Sequence, residues 1–158
     1  MDGPRIALVA CGATKFPRRA LAKDLYTGAL FRAARAYAEA CCDHWYILSA
    51  KHGLVDPDTS LEPYEQNLAA MPCLEREAWG ARVLRRLGAE WGTVQDVRWV
   101  LLAGAHYLGA LRPGLVQVAG GHRLDIEADW AMPEVPLARL GIGLQLQWLK
   151  REVADHVR

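Results

Sequence analysis

The sequence predicts a single α/β domain, built as a three-layer sandwich around a largely parallel central sheet. Short apolar runs of strand length alternate along the chain with longer segments in which apolar residues recur every three or four positions. The chain has 158 residues, the size of one ordinary domain, and shows neither an internal repeat nor a linker. Residues 1–158 are therefore expected to form one domain.

Three apolar runs are the expected strands of the sheet. Arg5–Ala10 (RIALVA) is continuous and stops at a Cys-Gly pair, as a strand buried on both faces does. His44–Ser49 is rich in aromatic and branched residues, and residues 97–103 (VRWVLLA) end at a glycine. Weaker strand candidates are residues 115–118 and 123–127.

Four segments show helical spacing. Residues 26–41 and 75–91 carry apolar positions on one face and arginines on the others. Residues 144–157 repeat the pattern at the end of the chain. Residues 106–111 favour a short helix, which a following Pro-Gly pair is expected to stop.

Composition and charge limit the functional class. Hydrophobic residues make up 52% of the chain and charged residues 23%, and the formal net charge is +1, so no global field draws the protein onto nucleic acid or lipid. We expect a cytoplasmic protein without a membrane segment or signal peptide, and no obligate protein partner is evident. The four cysteines form no CxxC pair, which favours free thiols over disulfides or a metal site.

The predicted strand order brings three segments to one edge of the sheet. CGATK (11–15), SAKHG (49–53) and AGAHY (103–107) each follow a predicted strand. Ligands of open α/β sheets bind outside the carboxyl ends of the strands. The candidate substrate-binding residues at this edge and in the adjoining loops are Cys11, Gly12, Thr14, Lys15, Tyr26, Ser49, Tyr64, Gly104 and Tyr107.

The first segment suits an anionic group. Its glycine permits a tight turn, its successive amides are able to cradle a phosphate or carboxylate, and Lys15 adds positive charge. The GxxxxGK[ST] spacing of a P-loop is absent. The alternative is an ordinary glycine turn with a solvated lysine. Cys11 is either a nucleophile or, as is more common for a thiol at a strand end, inert packing.

The second segment offers a hydroxyl, an ammonium and an imidazole side by side. Ser49, Lys51 and His52 are flanked by small residues that keep their surroundings open. Histidine titrates near neutrality and is suited to proton transfer. Lys51 and His52 are therefore candidate catalytic residues, although a histidine at a strand end also occurs as a purely structural residue.

Two further side chains have a structural and a functional interpretation. Tyr64 follows a proline in a turn-rich loop and either stacks on a planar base or packs the loop against the sheet, where Asn67 or a neighbour caps a turn. Asp24 is either the N-cap of the helix predicted over residues 26–41 or a third catalytic residue.

A basic cluster adjoins the first segment. Arg18, Arg19 and Lys23 are candidates for contacts with a nucleic-acid backbone. Because the chain is nearly neutral overall, a solvated surface patch is the alternative.

A resemblance to a known family extends over nearly the whole chain. The segments that carry it are CGATK, DLYTGALFRAARAYAE (24–39), WYILSAKHGLVDP (45–57), EPYEQNL (62–68), LLAGAHY (101–107) and PLARLGIGLQLQWL (136–149). They resemble a small bacterial and phage family of unknown function that is distantly similar to the YaaA peroxide-stress proteins. SAKHGL and the downstream PY are the most specific parts. Glu65 and Asn67 depart from the family pattern, in which aspartate and threonine are expected.

The resemblance implies a link to nucleic acid, because the wider superfamily is associated with DNA damage and with DNA glycosylase activity on modified uracil. Such an enzyme needs a group that holds water, donors for the departing base and an aromatic face for the flipped base. Asp24 suits the first need, Lys51 with His52 the second, and Tyr64 or Tyr26 the third. A Schiff base on Lys51 is a further route.

The resulting expectation is a cofactor-free DNA glycosylase that releases a modified or damaged base by hydrolysis, as in DNA repair. Two alternatives remain open at this point. One is a hydrolase of free nucleosides, and the other is a non-catalytic DNA-binding or nucleotide-binding protein of stress or defence.

Overall fold

The computed structural model describes residues 3–118 and 142–157. The elements in chain order are β1 Arg5–Ala10, β2 Ala20–Leu21, α1 Ala22–Leu25, α2 Ala29–Cys41, β3 His44–Ser49, β4 Gly53–Val55, β5 Ser60–Leu61, a 3₁₀ turn Leu68–Ala70, α3 Cys73–Trp91, β6 Arg98–Leu102, α4 Ala105–Val118 and α5 Ile142–Val157. Strands alternate with helices, which confirms the predicted α/β class.

The central sheet has four strands in the order β4-β3-β1-β6. β1 pairs in parallel with β3 on one side and with β6 on the other, and β4 turns back to pair antiparallel with β3. The carboxyl ends of the three parallel strands therefore share one edge, as the sequence predicts. β2 and β5 form a separate antiparallel pair beside the sheet.

Each face of the central sheet is covered by a pair of helices. In β1, Ala7 and Val9 belong to one buried cluster with α2 and α5, whereas Ile6 and Leu8 belong to a second with α3 and α4. Successive strand residues point to opposite faces, so burial on both faces requires a continuous apolar run. No helix within residues 3–118 or 142–157 is both long and apolar enough to span a bilayer.

Helix α4 corrects two predictions. It runs from Ala105 to Val118, so the short helix over 106–111 is not stopped by its Pro-Gly pair, and residues 115–118 are helical rather than a strand. Leu108, Leu111 and Leu115 are buried in the cluster that includes α3, and this packing outweighs the cost of an internal proline. The strand candidate at 123–127 lies outside the described residues.

Helix α2 begins at Ala29, three residues later than its apolar spacing predicts. The preceding residue Tyr26 is extended and forms an isolated antiparallel bridge with Lys15, and the Thr27 amide donates to the Thr14 carbonyl over 3.0 Å. These contacts with the loop after β1 hold residues 26–27 out of the helix. They also fix the CGATK segment against the start of α2.

Candidate functional site

The three predicted segments meet at the carboxyl edge of the sheet. The Cys11 amide donates to the Leu48 carbonyl over 2.9 Å, which extends the pairing of β1 with β3. The Cys11 Sγ lies 3.5 Å from the Tyr107 hydroxyl, at the start of α4. Cys11 therefore contacts the end of β3 and the first turn of α4, and the segments that follow β1, β3 and β6 start at one edge of the sheet, as predicted.

A cavity of about 220 Å³ opens between the ends of β1 and β6. The chain passes from β1 through α2 to β3 on one side and later reaches β6 on the other, so this is the point where the strand order reverses. The residues that line the cavity are Ala10, Cys11, Gly12, Leu30, Phe31, Ala34, Leu102, Ala103, Gly104 and Tyr107. Its wall is mostly apolar, and the Cys11 thiol and the Tyr107 hydroxyl are polar groups within it.

Beside the cavity, three buried hydroxyl groups form a chain. The Tyr64 hydroxyl lies 2.5 Å from the Ser49 Oγ and 2.6 Å from the Tyr26 hydroxyl. Ser49 is fully buried, and its Oγ accepts a hydrogen bond of 3.0 Å from the His52 amide. Trp79 Nε1 donates to the Ser49 carbonyl over 2.8 Å. Ser49 thus ties the turn that carries Lys51 and His52 to the loop of Tyr64 and to α3.

The phenols around the cavity remain protonated. Burial first, and then the neighbouring Cys11, raises the pKa of Tyr26 to about 12. The same two causes raise the pKa values of Tyr64 and Tyr107. All three hydroxyls are consequently neutral donors at physiological pH, and the Tyr107 hydroxyl lies 3.5 Å from the Cys11 Sγ.

Two lysines and a histidine lie around the Tyr64 ring. Lys15 Nζ lies 4.7 Å from the ring centroid, Lys51 Nζ lies 5.8 Å from it, and the His52 ring packs edge-on with its centroid 5.1 Å away. Burial and then the adjacent Lys51 lower the pKa of His52 below its ordinary value of 6.5. His52 is therefore a neutral imidazole at pH 7, as a general base must be.

Replacing Lys51 by glutamine is expected to raise the pKa of His52 toward 6.5, because one of the two causes of the shift is removed while burial remains. The measurement is an NMR pH titration of the His52 ring. Lys150→Gln, which removes the same charge at an exposed position of α5, is the control and should leave the pKa of His52 unchanged. A His52 pKa above 6.5 in the wild-type protein would contradict the inference that burial and Lys51 lower it.

The same shift predicts the direction of the pH dependence of stability. The unfolded chain protonates His52 at a higher pH than the folded chain does. Acidification from neutrality through 6.5 and down to the folded pKa therefore lowers the free energy of unfolding.

Tyr64 and Tyr26 are not open stacking platforms. Tyr64 is 9% exposed and Tyr26 is 1% exposed, and their rings pack against each other edge-on. The structure contradicts the prediction that either ring offers a free face to a base, and it supports the alternative in which Tyr64 packs its loop against the sheet. Asn67 caps the following 3₁₀ turn, as that alternative also predicts, because its side chain accepts from the Ala69 amide.

Comparison with known proteins identifies the family. Residues 6–151 match DUF6884, described as a family of unknown function. The chain belongs to this DUF6884 family. It is 30% identical over 160 residues to the uncharacterized protein YfjM of Bacillus subtilis strain 168, and the match covers 96% of both chains. No solved structure matches the chain.

Asp24 of this DUF6884 protein does not occupy its predicted position. It lies inside α1, whose N-cap is Leu21, so the N-cap prediction is wrong. Its Oδ1 accepts a hydrogen bond of 2.9 Å from Arg35 of α2, and it is not one of the described residues that line the cavity. The catalytic role predicted for Asp24 has no geometric support at this cavity.

Two members of the predicted backbone-binding cluster are already paired. Arg19 Nε lies 3.0 Å from a Glu62 oxygen, and Lys23 Nζ lies 2.7 Å from a Asp58 oxygen. Arg18 is exposed and makes no ion pair with any described residue. The acidic partners reduce the positive potential that this DUF6884 surface presents to a phosphate backbone.

Several residues of the site escaped sequence reasoning. Leu30, Phe31 and Ala34 form the cavity wall on α2, and their helical spacing identifies the buried face of the helix but not the part of it that borders a cavity. Trp79 was recognisable as a buried position of α3, yet its bond to Ser49 joins residues 30 positions apart. Neither contact has a local signal in the sequence.

Proposed function

We propose that this DUF6884 protein hydrolyses N-glycosidic bonds and releases a nucleobase, and that a modified or damaged base in DNA, such as a modified uracil, is the first substrate class to test. The observation that carries the proposal is the cavity at the reversal of strand order. A cavity of roughly 150 Å³ holds a benzene ring, so about 220 Å³ is sufficient for a single pyrimidine ring. Its apolar wall and few polar groups suit a planar base.

The chemistry assigns separate roles to the groups of the site. The base occupies the cavity, water attacks C1′ of the sugar, and the breaking C1′–N bond leaves its electron pair on the base. Neutral His52 accepts the proton of the attacking water. The Tyr107 hydroxyl, which belongs to a cavity-lining residue, donates to the departing base anion, which then takes a proton from solvent. His52 replaces Asp24 as the water-activating group, because Asp24 pairs with Arg35.

Two considerations bear on the substrate. SAKHGL and PY resemble the small family that is distantly similar to the YaaA proteins, and the association of that wider superfamily with DNA glycosylase activity supports a base within DNA. The ion pairs of Arg19 and Lys23 favour a free nucleoside or nucleotide over extended duplex, because few unpaired cations remain in that cluster to track a backbone.

A base-release assay tests the proposal. The protein is incubated with duplexes that contain uracil, hydroxymethyluracil or alkylated bases and with the matching free nucleosides, and released base is measured by mass spectrometry. His52→Ala is expected to slow release by about a hundredfold or more. His44→Ala is the matched control, because His44 lies at the opposite end of β3 and packs against Trp91, and it should retain the wild-type rate.

One result of this assay would refute the proposed hydrolysis. Tight binding of these substrates with no base released from any of them would identify a non-catalytic binder, for which the absence of a carboxylate among the described cavity-lining residues already offers a rationale. Borohydride trapping distinguishes a Schiff base on Lys51, since a covalent adduct lost in Lys51→Gln would indicate a lyase rather than simple hydrolysis.

A further inference from the structure

We propose that Lys15 and Lys51 form a phosphate-binding site across the Tyr64 ring, so that the substrate is a phosphate-bearing nucleotide unit rather than a nucleoside. The identity of the attached base rests on the proposed function. The anion site itself rests on the placement of the two lysines and of the loop after β1.

The first observation is that two ammonium groups lie over the Tyr64 ring without a carboxylate partner among residues 3–118 and 142–157. Lys15 Nζ and Lys51 Nζ lie 4.7 Å and 5.8 Å from the centroid of the same ring. Neither pairs with a carboxylate among the described residues, whereas nearby Lys23 is paired with Asp58. Both ammonium groups therefore lie within 5.8 Å of one ring centroid, and an anion bound beside this ring would be attracted to both of them.

Tyr64 does not supply the missing negative charge. Burial raises its pKa, so the ring carries a neutral hydroxyl. Its face attracts a cation only through the ring quadrupole, which carries no net charge. The ring therefore positions the two lysines but leaves their charges uncompensated.

The second observation is a set of free backbone donors beside Lys15. The amides of Gly12, Ala13 and Thr14 donate no hydrogen bond to any described residue. Lys15 Nζ donates to the Ala13 carbonyl over 3.2 Å, so the ammonium folds back over this loop. Successive free amides next to a cation are the donor set that phosphate oxygens accept.

The position of the loop relates the phosphate to the base. Gly12 lines the base cavity and also belongs to the loop with the free amides. A Cβ built on Gly12 would meet no atom within 4 Å, so the space above it is open. A nucleotide unit with its base in the cavity thus has room to place its sugar over Gly12 and its phosphate toward Lys15.

Calorimetry with inorganic phosphate tests the anion site without any catalytic step. Wild-type protein is expected to bind phosphate, and Lys15→Gln and Lys51→Gln are each expected to weaken binding by about tenfold, as the loss of one charged hydrogen bond does. Lys150→Gln removes the same charge at an exposed position of α5 and should bind phosphate like the wild type. Equal phosphate binding by all four proteins, or none by the wild type, would overturn the proposal.

A second set of ligands identifies the source of the phosphate. Deoxyuridine 5′-monophosphate is expected to bind at least about tenfold more tightly than deoxyuridine, and the difference should vanish in the Lys15→Gln/Lys51→Gln double variant. An oligonucleotide that contains uracil serves as the comparison arm. If the oligonucleotide binds more tightly than the mononucleotide and its binding depends more steeply on salt, the site takes a strand phosphate. If the oligonucleotide binds equally or more weakly, the site takes a free nucleotide.

The outcomes separate this inference from the proposed function. Phosphate binding that requires both lysines, together with no base release from any substrate, refutes the glycosidase and retains the anion site. Base release at the same rate from nucleoside and nucleotide, with no phosphate binding, refutes the anion site and retains the glycosidase.

Discussion

Replacing Trp79 by phenylalanine is expected to destabilise the protein by about 2 kcal/mol more than the same change at Trp99. Both tryptophans are fully buried in the cluster between the sheet and helices α3 and α4, so the loss of ring volume is similar. Trp79 Nε1 donates to the Ser49 carbonyl, whereas Trp99 Nε1 has no hydrogen-bond partner among the described residues. Losing a buried hydrogen bond costs about 1–3 kcal/mol, while removing an unpaired buried N–H relieves a penalty.

Urea unfolding of the two variants measures the difference, and Trp99→Phe is the matched control for volume. Equal destabilisation would show that the bond to Ser49 contributes no net stability. Because Ser49 also holds the His52 amide and the Tyr64 hydroxyl, Trp79→Phe should additionally increase amide hydrogen exchange in the turn of residues 50–53. Trp99 Nε1 donates no hydrogen bond to Ser49 or to any other described residue, so the Trp99 variant should leave the exchange unchanged.

The elements that the sequence predicts best are those whose central residues are buried on both faces. β1 and β3 begin and end at the predicted residues because such burial requires a continuous apolar run in the middle of the strand. The start of α2 was misplaced because Tyr26 carries a helix-compatible pattern, yet its hydroxyl binds Tyr64, 38 residues away. The prediction that Pro113 ends helix α4 was wrong for a similar reason. The buried leucines on either side of this proline pack against the core and keep the segment helical.

The candidate site also has features that the sequence predicts and features that it does not. The rule that ligands bind at the carboxyl edge of a parallel sheet predicted that Cys11, His52 and Tyr107 would lie near one another. It was not able to predict the Ser49–Tyr64–Tyr26 hydroxyl chain, which depends on how residues 50–63 fold back over the sheet. β4 turns at Gly53, whose φ of 75° suits glycine, and β5 pairs with β2. Strands of two or three residues are too short to give a periodic signal.

Filling the cavity is expected to abolish base release while the fold is retained. Ala34 of α2 is buried and lines the cavity, so in Ala34→Leu the larger side chain occupies the space assigned to the base. We expect release to fall by more than about a hundredfold, because a base excluded from the cavity is no longer oriented for attack. The unfolding free energy should stay the same or rise by up to about 2 kcal/mol, since each buried methylene contributes roughly 0.8 kcal/mol.

Ala36→Leu is the matched control. It makes the same change on the same helix, but Ala36 is exposed and lies in the groove between α2 and α5, so release should proceed at the wild-type rate. Inorganic phosphate should still bind Ala34→Leu, because Lys15 and Lys51 are not among the residues that line the cavity. A stable Ala34→Leu protein that releases base as fast as the wild type would place the base elsewhere, and the cavity would then lose its part in the proposed reaction.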